Sequence, residues 1–316
     1  MKTQGVFTSA LIGILLLTAC SQQENKADLD SDIPEEDRLV LEGKREESGG
    51  FSVRGGTVSE VNLLYNGAFT SVGYLRTASA GIYCTATLVR PNVLLTAAHC
   101  VTGFRPQDVR FSVVKTSVVN TEVAATRFLV PFDSTGKRIA DLAVVKLAKN
   151  YIDQLNSVQQ HALKWGPQAN ADGIVELSGT PLNANTPAAI IGYGIDEKGS
   201  FGIRKRGNVK VTRYVRSGTE YFVEAVPADA KNQISCPGDS GSPLLVKRKK
   251  NSADIEFGGL NPTMSPGMEH VIAGVTSFVT ATNTSTSVNV CKTTSSAYYV
   301  PIDIYKSVIT QMLSAI

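Results

Sequence analysis

Three short segments of this 316-residue chain carry side chains that could do covalent chemistry together. They are Leu94-Leu95-Thr96-Ala97-Ala98-His99-Cys100, Asp141-Leu142-Ala143-Val144-Val145-Lys146-Leu147 and Cys236-Pro237-Gly238-Asp239-Ser240-Gly241-Ser242-Pro243. A hydroxyl nucleophile needs a base to take its proton. That base needs a buried acid to fix its tautomer and to stabilise the imidazolium as it forms. The developing oxyanion needs about two fixed donors, each worth about 2.7–4 kcal/mol. Glycines beside the serine let backbone N–H groups come close to a substrate. The order His99, Asp141, Ser240 is one of the known chain orders for such a triad.

The elements that must position these residues are short. Ile82–Val89, Val109–Val114, Leu142–Leu147, Ala188–Ile191, Val209–Tyr214, Tyr221–Val226 and Val271–Val279 are apolar or alternating runs. They are rich in Val, Ile, Thr and aromatics and are bounded by turn residues, which predicts many antiparallel strands, as in barrels or sandwiches. Helix signals are few: a turn over Ala97–Val101, and Pro301–Ile316, where Ile304, Val308, Met312 and Ile316 fall at helical spacing.

The three segments resemble the chymotrypsin/trypsin-like serine proteases, through TAAHC, D-L-A-V-V-x-L and C-x-G-D-S-G-S-P. The separations of 42 residues from His99 to Asp141 and 99 from Asp141 to Ser240 are similar to that family's layout. The likeness spans about Val53 to Ile316. It implies an all-β fold of two antiparallel six-stranded Greek-key β-barrels, about 53–160 and 161–300, with a C-terminal helix over 301–316. It implies Ser240 as nucleophile, His99 as base and then acid, Asp141 as its orienter, and the N–H groups of Gly238 and Ser240 as the oxyanion hole. Pro237 lacks an N–H but is not one of those donors. Ile191-Gly192-Tyr193-Gly194 is similar to the family's G-W-G strand with Tyr for Trp. Ser277-Phe278-Val279 is similar to the strand that pairs with substrate backbone, its serine supporting the triad aspartate. The family also implies disulfides Cys84–Cys100 and Cys236–Cys291.

In that family the pocket base lies six residues before the nucleophile, here Ile234. A substrate Arg or Lys would bury an unpaired charge there at a cost of several kcal/mol. Val279 and Ala297 would narrow the slot, so the expected cleavage follows small or medium aliphatic residues. Asp239 pairs, in the family, with a freed α-amino group. The nearest match to the usual mature terminus is Val53-Arg54-Gly55-Gly56 after Ser52, a departure from the trypsin-type arrangement, so a cut after Ser52 would free Val53. The rival expectation is a non-catalytic envelope binding protein on a protease fold; the intact triad argues against it.

Upstream, Lys2, the apolar Leu11–Leu17 and the following small residues read as an export signal. Leu17-Thr18-Ala19-Cys20 resembles the lipobox of bacterial lipoproteins. That implies cleavage before Cys20, acylation of its thiol and a place in the cell envelope, with Ser21 pointing to the outer membrane. Residues 20–52 hold ten Asp/Glu against four Lys/Arg and no apolar period, the composition of a tether or pro-segment. Cleavage near Val53 would then release the enzyme from its lipid. Counting Lys2, residues 53–316 carry net +8. Composition at 42% hydrophobic and 19% charged excludes a disordered chain, and no apolar run beyond the first twenty residues could cross a bilayer.

Setting Cys20 aside leaves Cys84, Cys100, Cys236 and Cys291, an even set that suggests disulfides in an exported chain, with three pairings possible. No CxxC pair exists and only three His occur, so no metal is expected, nor any cofactor. The expected partners are protein or peptide substrates of a monomer, not nucleic acid. His161 and His270 match no motif and are expected at the surface or in the core. Arg204-Lys205-Arg206 and Lys247-Arg248-Lys249-Lys250 are expected as solvated loops.

Overall fold

The computed structural model describes residues 53–54, 57–58, 71–113, 122–151, 153, 176–200, 202–249 and 268–316. The signal segment, Cys20, the acidic tether, His161, Lys250 and the 160/161 boundary lie outside them. Six strands close the first barrel: β2 (Val72–Thr77), β3 (Gly81–Arg90), β4 (Val93–Thr96), β5 (Arg110–Ser112), β6 (Val123–Leu129) and β7 (Ala143–Leu147), in the order β2-β3-β4-β7-β6-β5. Beyond β1 (Thr57–Val58) and β8 (Glu176–Leu177), the second barrel uses β9 (Pro187–Gly192), β10 (Lys205–Ser217), β11 (Glu220–Pro227), β12 (Pro243–Lys249), β13 (Met268–Ala281) and β14 (Thr294–Pro301). Its order is β9-β10-β11-β14-β13-β12, closed by β9 pairing with β10 as well as β12. Counted within each barrel, both orders read first-second-third-sixth-fifth-fourth. The fourth strand returns beside the first, which is the Greek-key connection.

The alternation read from the sequence explains why each run becomes a barrel stave. Apolar side chains such as Leu75, Leu88, Leu94, Phe111 and Val145 are buried in one core, and Ile190, Val209, Val223, Leu244 and Val271 in another. Full burial of each such side chain stabilises the fold by about 1.5–3 kcal/mol. The barrels are not separate: Ile191, Leu245, Ile272 and Val300 of the second share the first core. Tyr193 reinforces the seam, its hydroxyl donating to Val113 O of the first barrel at 2.7 Å.

A short helix α1 (Ser287–Thr293) precedes β14, and α2 (Ile302–Ala315) ends the chain. Ile302, Tyr305, Ile309, Met312 and Leu313 are the buried face of α2, and they pack into the first barrel's core. Arg127 Nη1 donates to Ala315 O at 2.9 Å and Arg90 Nη1 donates to Leu313 O. Both satisfy carbonyls that a helix end leaves without intrahelical partners. The last helix thus ties the second barrel back across the first.

Three findings differ from the sequence reading. Val53, Arg54, Thr57 and Val58 side with the second barrel, not the first: β1 pairs with β10, Arg54 bridges Ile234, and Val53 is buried among second-barrel side chains. Arg204-Lys205-Arg206 is not a solvated loop, because Lys205 begins β10 and its ammonium is buried 2.6 Å from Asp196 Oδ2. Lys247-Arg248-Lys249 is strand β12, with Lys247 buried and Arg248 paired to Glu269 and Glu176. In each basic run, an acidic partner outside the run overrides the local polarity, Asp196 nine residues before Lys205 and Glu269 and Glu176 for Arg248.

Candidate active site

β4 ends at Thr96, and the chain then makes a 3-10 turn over Ala98–Cys100. Ala98 and Cys100 face inward, Cys100 is disulfide-bonded to Cys84 on β3, and the ring of His99 is left 41% exposed. The Asp141 side chain, just before β7, is only 4% exposed. Its Oδ1 accepts the His99 backbone N–H at 3.0 Å, and its Oδ2 lies 2.8 Å from His99 Nδ1. Ser277 Oγ donates to the same Oδ2 at 2.6 Å.

Ser277 reaches that carboxylate through a strand irregularity. In the pairing of β13 with β14, Thr276 lies opposite Tyr299 and Phe278 opposite Tyr298, which leaves Ser277 as the extra residue of a bulge. A bulge of this kind re-aims one side chain out of the pleat. Burial alone would push the Asp141 carboxyl up. His99, the Arg138 guanidinium and the Ser277 hydroxyl outweigh it and hold the group well below the usual carboxylate range.

Ser240 comes from the second barrel. Thr85 N–H donates to Ser240 O at 2.8 Å, and Cys100 Sγ sits 3.6 Å from the same oxygen. The following residue explains how close the two barrels come. A Cβ on Gly241, which has φ +81°, would lie 2.1 Å from Thr96 Oγ1, 2.2 Å from Thr85 O and 3.2 Å from Ala97 N. Only glycine fits that gap. Ser240 is therefore seated against the segment that carries His99. Gly241 N–H also donates to Thr276 O at 2.8 Å, and Ser242 Oγ lies 2.6 Å from Thr276 Oγ1, so β13 anchors the loop from behind.

The backbone before Ser240 is shaped by Asp239. Its fully buried carboxylate accepts Gly194 N–H at 2.9 Å and Cys236 N–H at 2.8 Å. A Cβ on Gly192 would stand 1.9 Å from Asp239 Oδ1 and one on Gly194 2.6 Å from it, so neither position has room for a side chain. Gly238 adopts φ +87°, and among the described residues neither its N–H nor that of Ser240 is taken by another group. Burial raises the Asp239 carboxyl well above its ordinary value. The second disulfide, Cys236–Cys291, ties the loop to α1.

Ile234, Val279 and Ala297 are all buried in the second core, and Val279 lies directly across from Ala297 on the β13–β14 ladder. Phe278 stacks on Tyr298 with centroids 4.5 Å apart. Val53 belongs to the same cluster as Ile234, and Arg54 N–H donates to Ile234 O at 3.1 Å. His270 is buried on β13 opposite Lys247, away from these groups; burial beside Lys247 and Arg206 pushes its ring down to about 3.

Two charged residues escaped the sequence reading. Arg138 Nη1 lies 3.4 Å from Asp141 Oδ1, and Arg138 Nε lies 3.3 Å from Glu220 Oε1 on β11. Arg138 stands three residues before Asp141, a spacing visible in the sequence, but Glu220 is 82 residues away and carries no motif. The three sulfur and nitrogen ligands Cys84, His99 and Cys100 lie within 4.8 Å of one another, yet the disulfide leaves no thiolate to hold a metal.

A comparison with protein families matches the trypsin family over residues 64–309. No curated protein matches the sequence. The match runs through both barrels and into the last helix, over far more than half of the chain, so two Greek-key barrels meeting at His99, Asp141 and Ser240 belong to a member of the trypsin family.

Proposed function

We propose that this trypsin-family serine protease hydrolyses peptide bonds with Ser240 as nucleophile, His99 as general base and acid, and Asp141 as the orienting carboxylate. The observation that carries the reading is the buried Asp141 carboxylate on His99 Nδ1 at 2.8 Å. It assigns the proton to Nδ1 and leaves Nε2 as the lone-pair face. Ser240 Oγ attacks the scissile carbonyl carbon while its proton passes to Nε2. The carbonyl oxygen, now negative, takes hydrogen bonds from Gly238 N–H and Ser240 N–H. Collapse expels the amine, which receives the proton from His99, and water attacks the acyl-enzyme by the same route.

Ile234, Val279 and Ala297 form an uncharged, narrow slot, so cleavage follows small or medium aliphatic residues such as Ala, Val or Leu. Their apolar side chains support this, since a substrate guanidinium would enter without a counter-charge. A peptide library that varies the residue before the scissile bond tests it, and a dominant Arg or Lys preference would overturn it.

Activation follows from Val53 and Asp239. Cutting after Ser52 would free an α-amino group next to a side chain already buried in the second core, available to the buried Asp239 carboxylate. The same cut would separate the domain from the acyl chains on Cys20, so an envelope-anchored precursor would become a released enzyme. Fluorophosphonate labelling of the protein beside Ser240→Ala, with N-terminal mass spectrometry of the labelled species, tests both parts. Labelling that needs Ser240 and appears only on chains beginning at Val53 supports them. Full labelling on chains that begin at Cys20 overturns the activation step. No labelling even after residues 1–52 are removed overturns catalysis in favour of a binding protein.

A further inference from the structure

Arg138 bridges two carboxylates from different barrels at the edge of the site. On one side is Asp141 Oδ1, 3.4 Å from Nη1, the oxygen that also accepts the His99 backbone N–H. On the other is Glu220 Oε1, 3.3 Å from Nε, and Glu220 also accepts a backbone hydrogen bond from Asp141. The guanidinium is 29% exposed and the Glu220 side chain 10%. Burial raises the Glu220 carboxyl, against the opposing effect of Arg138.

The groups around His99 are few. The charged residues at this corner include Arg138 and Asp141 from the loop before β7, Glu220 from β11, and Arg216 on β10, whose guanidinium lies 5.5 Å over the Tyr221 ring. The neutral ones are the Ser277 hydroxyl on β13, Tyr221 on β11 and Tyr305 on α2, which accepts Tyr221 N–H. The imidazolium formed during the reaction depends on the negative potential of Asp141. A fixed cation on the far oxygen of that carboxylate weakens the potential, and an anion behind the cation restores part of it.

We propose that Arg138 is a positioning residue that sets the proton affinity of the catalytic base through Asp141, with Glu220 as its counterweight. This rests on the serine protease reading given above. Two neighbouring substitutions should then act in opposite directions, which a mere strut between barrels would not produce. In Arg138→Gln, Asp141 faces His99 with its full charge, so the imidazolium persists to higher pH. In Glu220→Gln, the guanidinium is uncompensated, and the base is free at lower pH.

The test is the second-order rate of fluorophosphonate labelling as a function of pH for the labelling-competent protein, whichever N-terminus it carries, with thermal unfolding to confirm that each variant is folded. Arg138→Gln should move the acid limb up by about 0.5–1 unit, less than a fully buried ion pair would because the guanidinium is partly solvated. Glu220→Gln should move it down, and Arg138→Lys should keep it near the wild-type position. Ring titration of His99 by NMR in the Ser240→Ala background should show the same order without requiring turnover. Limbs that stay in place while rates fall by a uniform factor overturn the proposal, as do limbs that move in the same direction for both substitutions. A wild-type chain whose label persists in Ser240→Ala refutes the protease reading, and this inference with it.

Discussion

Replacing Gly241 by alanine tests the close approach of the two barrels, and the structure supplies its own control. Gly136 has nearly the same backbone, φ +84°, but an added Cβ there meets nothing within 4 Å. Gly136→Ala therefore reports the left-handed conformation alone, about 1–2 kcal/mol. Gly241→Ala adds contacts at 2.1 and 2.2 Å, the second of them to a backbone oxygen that cannot rotate away. Thr85 O must retreat by more than about 1 Å to reach an ordinary separation. That movement also disturbs the 2.8 Å bond it accepts from Thr96 Oγ1. Overpacking of this kind costs about 1–3 kcal/mol, which brings the expected total for Gly241→Ala to about 2–5 kcal/mol. Because Ser240 precedes the displaced residue, labelling should slow by about a hundredfold, the usual effect of a 1 Å misplacement at a reacting centre. Urea unfolding and labelling rates on both variants give the comparison. Equal destabilisation by the two substitutions, or unaltered labelling in folded Gly241→Ala, would refute the reasoning.

Asp141→Asn should slow labelling at neutral pH by about four orders of magnitude while leaving the fold intact, because an amide favours the wrong imidazole tautomer; a loss below tenfold would contradict the assigned role. His270, held down to about 3 against an ordinary 6.5, takes up its proton in the unfolded chain first as pH falls. Its contribution is therefore complete above 6.5 and is lost on descending toward 3, by about 2 kcal/mol at pH 5. Urea midpoints between pH 7 and 5 should fall less steeply in His270→Gln than in the wild type, and parallel curves would contradict this. The disulfides span 55 and 16 residues. Loop-closure entropy then makes the Cys236/Cys291 double alanine variant lose about 4 kcal/mol and the Cys84/Cys100 one about 3, an order that denaturant unfolding can check.

Much of this architecture is legible because it rests on local chemistry. Apolar runs such as Ala143–Leu147 announce themselves, and the motifs around His99, Asp141 and Ser240 need particular residues at fixed neighbours. What escapes the sequence depends on partners outside the local run, nine residues away for Lys205 and 82 for Glu220. Lys205 reads as solvated until Asp196 is found beside it, since a buried ammonium is tolerable only with a nearby anion. Glu220 looks like an ordinary turn-flanking acid until the barrels close and bring it to Arg138. The helix Ser287–Thr293 is too short and too polar to show a period, although Thr286, which accepts Asn289 N–H, is a good cap. The pairing of β1 with β10 joins segments about 150 residues apart through two residues, too few to leave a pattern.

The seam at Gly241 also bears on when a newly made chain becomes dangerous to its surroundings. A ribosome delivers the first barrel, with its base and acid, well before residue 240 emerges, and domains take shape from the N-terminus as synthesis proceeds. On the mechanism proposed above, His99 and Asp141 have no hydroxyl to activate at that stage. Ser240 meets them only when β12 has entered the second barrel and Gly241 has slid against Thr96 and Thr85. The helix α2, which straps the barrels together, is made after both of them. A truncated or half-assembled chain thus has no assembled site, and on the reading proposed above a completed fold still awaits the cut after Ser52 before it can cleave a substrate.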